Sequence, residues 1–182
     1  MIFPVLQKQN VKTEFTFKSN NMKLLFTLLV MAFLADSTLT IESPAFRNNE
    51  NIPVKYTCEG KSINPPLTIK GLPGDTKTLA LIMDDPDAPG TFDHWVMWNI
   101  PPTGKIDENS APGTQGKNGR NENKYTGPCP PTGVHHYYFK VYALDVKLDL
   151  PATTDKKALM EAMVGHILAQ GQMIGLYEKR NK

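Results

Sequence analysis

Cysteine is scarce in this chain: Cys58 and Cys129 are the only two among 182 residues. That excludes a four-thiolate zinc site or a four-cysteine iron–sulfur cluster built from this chain alone. Serine is sparse beyond residue 37, where only Ser43, Ser62 and Ser110 occur and none stands beside a histidine. No Gly-x-Ser-x-Gly elbow, Walker A loop, Rossmann glycine pattern or His-Glu-x-x-His helix is present, so the enzyme classes those motifs mark are not expected. No apolar run reaches the roughly 20 residues that a membrane-spanning helix needs. Charge of one sign is also lacking. The formal net charge is +2, and beyond residue 37 sixteen basic residues meet sixteen acidic ones. No global basic field is available to hold nucleic acid, and any anion must be held locally.

What is present begins with a targeting pattern. Met22-Lys23 precedes the apolar run Leu24–Ala35, and Ala35-Asp36-Ser37 places small residues where a signal peptidase needs them. Residues 22–37 therefore read as a secretory signal. Residues 1–21 read as a leader or a misassigned start, with Met22 the more natural initiator, and residues 38–182 as one domain. The expected location is exported, periplasmic or secreted, with no membrane span in the mature form. Export also permits a bridge between Cys58 and Cys129. A free buried thiol, and Cys129 as a nucleophile with His135 as base, are the competing readings.

Fifteen prolines and thirteen glycines point to many turns and a β-rich fold. Leu39–Phe46 reads as an edge strand or an irregular lead-in, and strands are expected at Ile52–Cys58, Leu67–Lys70, Thr78–Met83, His94–Ile100, Val134–Leu144 and Met173–Tyr177, with a long polar loop over Thr103–Thr126. One late helix is expected from Thr154-Asp155, with Leu159, Met160, Met163, Ile167 and Leu168 on one face and Gly171 as its stop. The sum is a mainly β domain, an antiparallel β-sandwich with Greek-key connections and one helix in its C-terminal region.

The chemistry concentrates at strand ends. Asp84-Asp85-Pro86-Asp87-Ala88-Pro89 closes one strand, His94 opens the next, and Gly127-Pro128-Cys129-Pro130-Pro131 leads into His135-His136-Tyr137. Side chains alternate along a strand, so His135 and Tyr137 share a face and His136 takes the other. A pocket of Asp85, Asp87, His94, His135 and Tyr137 would offer imidazole and phenol donors to a phosphate or carboxylate. The aspartates would orient the histidines from behind. Asp-Pro-Asp also forms purely structural turns, and a lone strand histidine is commonly a satisfied core residue. The histidines lack metal-ligand spacing, so neither a metal nor a cofactor is expected.

These segments in combination resemble the phosphatidylethanolamine-binding protein family, also called the Raf kinase inhibitor protein family, in its bacterial YbhB/YbcL form. Tyr56-Thr57-Cys58-Glu59-Gly60 and Gly165-His166-Ile167-Leu168-Ala169 add to the likeness, which runs from about Leu39 to Tyr177. The resemblance implies a β-sandwich with an anion pocket at one end. Its ligand residues would be Asp85, Asp87, His94, Gly127, Pro128, His135 and Tyr137, with a cis bond at Ala88–Pro89. It further implies a small phosphate- or carboxylate-bearing ligand, such as a phospholipid headgroup, and regulation of a protein partner such as a kinase or protease. A homodimer is left open. The alternative is a hydrolase using His94 or His135 as base and Asp85 as its orienter. With no activated nucleophile in view, a binding protein is favoured over an enzyme.

Overall fold

The computed structural model describes residues 37–180. The expected leader, and the signal segment through Asp36, lie outside the described residues. Ten strands run in chain order: Ser37–Thr38 (β1), Thr40–Glu42 (β2), Glu50–Asn51 (β3), Leu67–Lys70 (β4), Thr78–Asp85 (β5), Phe92–Ile100 (β6), Lys105–Ile106 (β7), Thr114–Gln115 (β8), Val134–Leu144 (β9) and Ile167–Glu178 (β10). A single α-helix among the described residues, Lys156–Ala162 (α1), lies between the last two strands.

The larger sheet has seven strands in the order β1-β10-β9-β5-β6-β8, with β3 also pairing β10; the smaller is β2-β4-β7. Pairing is antiparallel except where β1 and β3 run parallel to β10. The continuous apolar run of β5 explains its central place. All eight of its residues are buried, as a strand covered on both faces requires. Leu79, Leu81 and Met83 pack toward Trp95, Met97, Tyr137 and Phe139 and toward Ile41, Leu67, Ile69 and Ile106 of the smaller sheet. The two sheets thus share one core, and the domain is mainly β. Ala80 and Ile82 face the other way and meet Val96, Trp98, Leu144 and, from the α1 region, Leu159 and Met163.

Two expected elements are corrected. Ile52–Cys58 does not form a strand: Val54–Tyr56 is a turn of 3₁₀ helix. Pro53 has no N–H for a ladder, and Thr57 closes the turn by donating its N–H (3.0 Å) and its hydroxyl (3.0 Å) to the Val54 carbonyl. The late helix is shorter than its apolar periodicity suggests. Asp155 caps it by accepting the Ala158 N–H at 2.9 Å, but the helix ends at Ala162 and the turn that follows passes through Gly165, where φ is +81°. Ile167 and Leu168 therefore belong to β10. Gly171 lies inside that strand, paired with Val141 of β9, and not at a helix end; a Cβ there would sit 2.1 Å from the Leu39 carbonyl oxygen.

Candidate functional site

Strand alternation divides the two aspartates that end β5. Asp84 projects toward α1. There its Oδ2 accepts from Lys140 (2.8 Å) and Lys156 (2.7 Å), and Lys156 also reaches Asp93 at 2.9 Å. Asp85 projects to the opposite face. Its side chain is only 4% exposed, yet it is fully engaged. Oδ1 accepts from the Asp87 N–H (2.9 Å) and the Ala88 N–H (3.2 Å), and Oδ2 lies 2.7 Å from His135 Nδ1. A carboxylate can only accept, so His135 carries its proton on Nδ1 and presents Nε2 on the other side of the ring.

Those two amide contacts shape the turn after β5. All peptide bonds among the described residues are trans, Ala88–Pro89 included, which corrects the expected cis bond. The chain reverses instead through left-handed conformations at Gly90 (φ +75°) and Thr91 (φ +58°), after Asp85 has caught the amides of Asp87 and Ala88.

His94, on β6, is held in the same manner by a different acceptor. Its Nδ1 lies 2.7 Å from the Thr126 carbonyl, and the Thr126 N–H returns to the His94 carbonyl at 2.9 Å. Nδ1 again must be the donor, and Nε2 is left without a protein partner among the described residues. Burial holds the His94 imidazolium below its ordinary value of 6.5, and the nearby Arg120 charge adds to that, against the Thr126 carbonyl and the charges of Asp85 and Asp93. The folded state therefore binds fewer protons here than the unfolded chain. The stability His94 contributes is complete above about pH 6.5 and declines as pH falls below it. The expected His94 titration midpoint by NMR lies below 6.5, with unfolding free energy declining below that pH. A midpoint at or above 6.5 would contradict the burial argument.

Tyr137 forms the floor beside the two imidazoles. Its ring meets His94 edge-on with centroids 5.1 Å apart and lies nearly parallel to His135 at 6.5 Å. Its hydroxyl is buried near the Cys129 amide without closing a hydrogen bond of normal geometry. Burial, with the charges of Asp85 and Asp87, pushes this phenol far up, so it keeps its proton.

The facing wall is the segment after Tyr125. Cys129 is joined to Cys58 by a disulfide with Cα atoms 5.4 Å apart. Beside the bridge, the Cys58 N–H donates to the Pro128 carbonyl at 3.0 Å and the Gly127 N–H to Ser62 Oγ at 2.9 Å. Gly127 is needed for this approach, since a Cβ would come within 2.8 Å of Ser62 Oγ and the Tyr56–Thr57 backbone. In the bridged protein the Cys129 sulfur is not a nucleophile.

Between these walls lies a cavity of about 190 Å³ lined by Asp85, Ala88, Phe92, His94, Arg120, Thr126, Gly127, Cys129, Pro130, Pro131 and His135. Of the residues proposed from sequence, Asp85, His94, Gly127 and His135 are brought together on it. Pro128 stands behind the wall and Tyr137 beneath the imidazoles. Asp87 goes elsewhere: its Oδ2 accepts from the His136 N–H (2.7 Å) and lies 2.8 Å from His136 Nδ1. Larger cavities exist, including one of about 500 Å³ beside Lys140 and Tyr142, but they lack convergent histidines.

Arg120 was not singled out by the sequence pattern. It lies in the polar 103–126 segment, which carries β7 and β8 and is tied down by one buried asparagine. Asn118 Oδ1 accepts the N–H groups of Arg120 (2.9 Å) and Glu122 (3.0 Å), while its Nδ2 donates to the Lys124 carbonyl and Thr126 Oγ1 at 2.9 Å each. This asparagine-centred loop, following Gly116-Lys117, was the available signal: a loop folded around one side chain holds its neighbours in fixed places.

A sequence model of the family described as phosphatidylethanolamine-binding protein matches residues 42–178. A UPF0098 protein of Pyrococcus horikoshii is 51% identical over 150 residues, covering 76% of this chain and 76% of the relative. A UPF0098 protein of Methanothermobacter thermautotrophicus is 45% identical over 150 residues, covering 78% of this chain and 99% of the relative. The solved structure of a phosphatidylethanolamine-binding protein homolog from Chlamydia trachomatis matches with a TM-score of 0.76 at 39% identity, over 79% of this chain and 99% of its own. That of E. coli YbcL, described as a member of the mammalian family of this name, matches with a TM-score of 0.72 at 27% identity, over 78% of this chain and 99% of its own. The extent of these matches, across the strands and loops that build the histidine-lined cavity, establishes that the chain belongs to the phosphatidylethanolamine-binding protein family.

Proposed function

We propose that this protein is exported and that its histidine-lined cavity holds a small phosphate- or carboxylate-bearing ligand, through which it regulates a protein partner such as a kinase or protease. Family membership supports a ligand-binding or regulatory protein in general terms. One observation carries the anion reading. His94 and His135 each commit Nδ1 to a buried acceptor, at 2.7 Å in both cases, and both line one small cavity together with a cationic side chain. Export is supported by the targeting pattern before Ser37 and by a disulfide that reducing compartments disfavour. A hydrolase reading gains less support, since the cavity's one sulfur is bridged.

The test is a histidine-resolved NMR titration with inorganic phosphate, phosphoethanolamine and acetate, beside His135→Ala. Saturable shifts at His94 and His135 that vanish in the variant are expected, with no phosphate released from p-nitrophenyl phosphate. Absence of any shift would remove the anion pocket, and turnover abolished by His135→Ala would establish the hydrolase instead.

A further inference from the structure

Three groups of the residues lining the cavity have no hydrogen-bond or ion-pair partner among the described residues. His94 and His135 line it with their Nδ1 atoms taken, and neither Nε2 has a hydrogen bond among the described residues. The Arg120 guanidinium forms neither an ion pair nor a side-chain hydrogen bond among the described residues, although its charge acts on His94. Its backbone is fixed through Asn118 Oδ1 at 2.9 Å, so the side chain starts from an anchored place at the cavity's edge. The remaining wall, Phe92, Pro130 and Pro131, is apolar.

We propose that Arg120 makes this cavity selective for phosphate monoesters over phosphodiesters and carboxylates. The inference rests on the anion-binding reading above and names its ligand class. A monoester has three free oxygens: two can meet the Arg120 guanidinium and the third, carrying the proton, can donate to an imidazole Nε2. A diester has two, and a carboxylate has two in one plane. The proton requirement points the same way. A neutral imidazole whose Nδ1 donates to protein can only accept at Nε2. A monoester brings a proton to share, because its second ionisation falls near pH 6. Diesters and carboxylates are already fully ionised at neutral pH and bring none. Arginine matches two phosphate oxygens at once, which lysine cannot do. The apolar wall would lie against the ester's organic group.

The experiment is calorimetric titration of the purified protein and of Arg120→Gln and Arg120→Lys with glycerol 3-phosphate, dimethyl phosphate and acetate. Flotation with phosphatidylcholine vesicles carrying either phosphatidic acid or phosphatidylethanolamine completes it. Arg120 is exposed and only its backbone is used by the loop, so both variants are expected to fold normally. Wild type is expected to bind glycerol 3-phosphate at least tenfold more tightly than dimethyl phosphate or acetate. Arg120→Gln should weaken the monoester alone by about tenfold, the size of a charge-assisted hydrogen bond, with Arg120→Lys between the two. Phosphatidic acid vesicles binding in place of glycerol 3-phosphate would assign the monoester to a lipid headgroup. Glycerol 3-phosphate binding without the vesicles would assign it to a soluble ester. Either result supports the selectivity. Equal affinity for monoester and diester, or an Arg120→Gln protein unchanged toward the monoester, overturns it while leaving the anion pocket standing. Failure of all the anions to bind would remove the pocket itself.

Discussion

Asp85→Ala is expected to lower the unfolding free energy by about 3–5 kcal/mol, the range for removing one partner of a buried charged contact, and to weaken anion binding more than tenfold. The reasons lie in what the carboxylate holds. Its side chain is 4% exposed, so the alanine variant leaves the half-buried N–H groups of Asp87 and Ala88 without their acceptor and leaves His135 Nδ1 unpaired in a buried place. Each buried unsatisfied donor costs about 1–3 kcal/mol. The turn after β5 then loses the contact that orders it, and His135 loses its fixed tautomer. Asp85→Asn separates the two effects. The amide oxygen can still accept from the turn, so most stability should remain. Its N–H₂ group, however, now faces His135 Nδ1, which forces the proton to Nε2. The check is urea unfolding of both variants together with ¹⁵N shifts of the His135 ring. An Asp85→Ala protein as stable as wild type, or an Asp85→Asn protein with its tautomer unchanged, would show that Asp85 does not govern this histidine.

That contact also marks how far the sequence could be read. The strand Val134–Leu144 has the same bounds in sequence and structure, because alternating aromatic and β-branched residues admit one period. The same alternation separated His135, at the cavity, from His136, which pairs with Asp87. Period-two reasoning applied to Asp84-Asp85 gives opposite faces as well, but which face meets Lys140 and Lys156 depends on strands and a helix brought together from 56 and 72 residues away. Asp87 sits in the motif yet leaves the cavity, since the turn that Asp85 caps swings it toward β9. Arg120 stood in a segment with no hydrophobic period, where position depends on side-chain hydrogen bonds to the backbone. The exchange of helix for strand at Ile167 and Leu168 has a similar origin. Apolar residues at 159, 163, 167 and 168 satisfy a helical period, and only the left-handed Gly165, read with the pairing of β10 against β9, decides between the two.

Removing the Cys58–Cys129 bridge is the second large effect. Cys58→Ala/Cys129→Ala is expected to lose about 4 kcal/mol of stability, as chain entropy gives for a loop of this size; the bridged residues are 71 apart in sequence. At ordinary urea sensitivity that moves the unfolding midpoint down by roughly 2 M. The pocket should respond much less than the fold. The segment that carries Cys129 is also held by Cys58 N–H to Pro128 (3.0 Å), Gly127 N–H to Ser62 Oγ (2.9 Å) and the Tyr125 hydroxyl to the Tyr56 carbonyl (2.9 Å). The bridge acts mainly on the unfolded chain, where those hydrogen bonds are absent, whereas the folded wall keeps them. Phosphate affinity measured well below the unfolding midpoint should therefore change by less than about threefold, under 1 kcal/mol, even though the midpoint shifts widely. A large loss of affinity in a variant that is still folded would show instead that the disulfide positions the cavity wall. In that case reduction would switch ligand binding, and the redox state of the compartment would control the protein's activity as well as its lifetime.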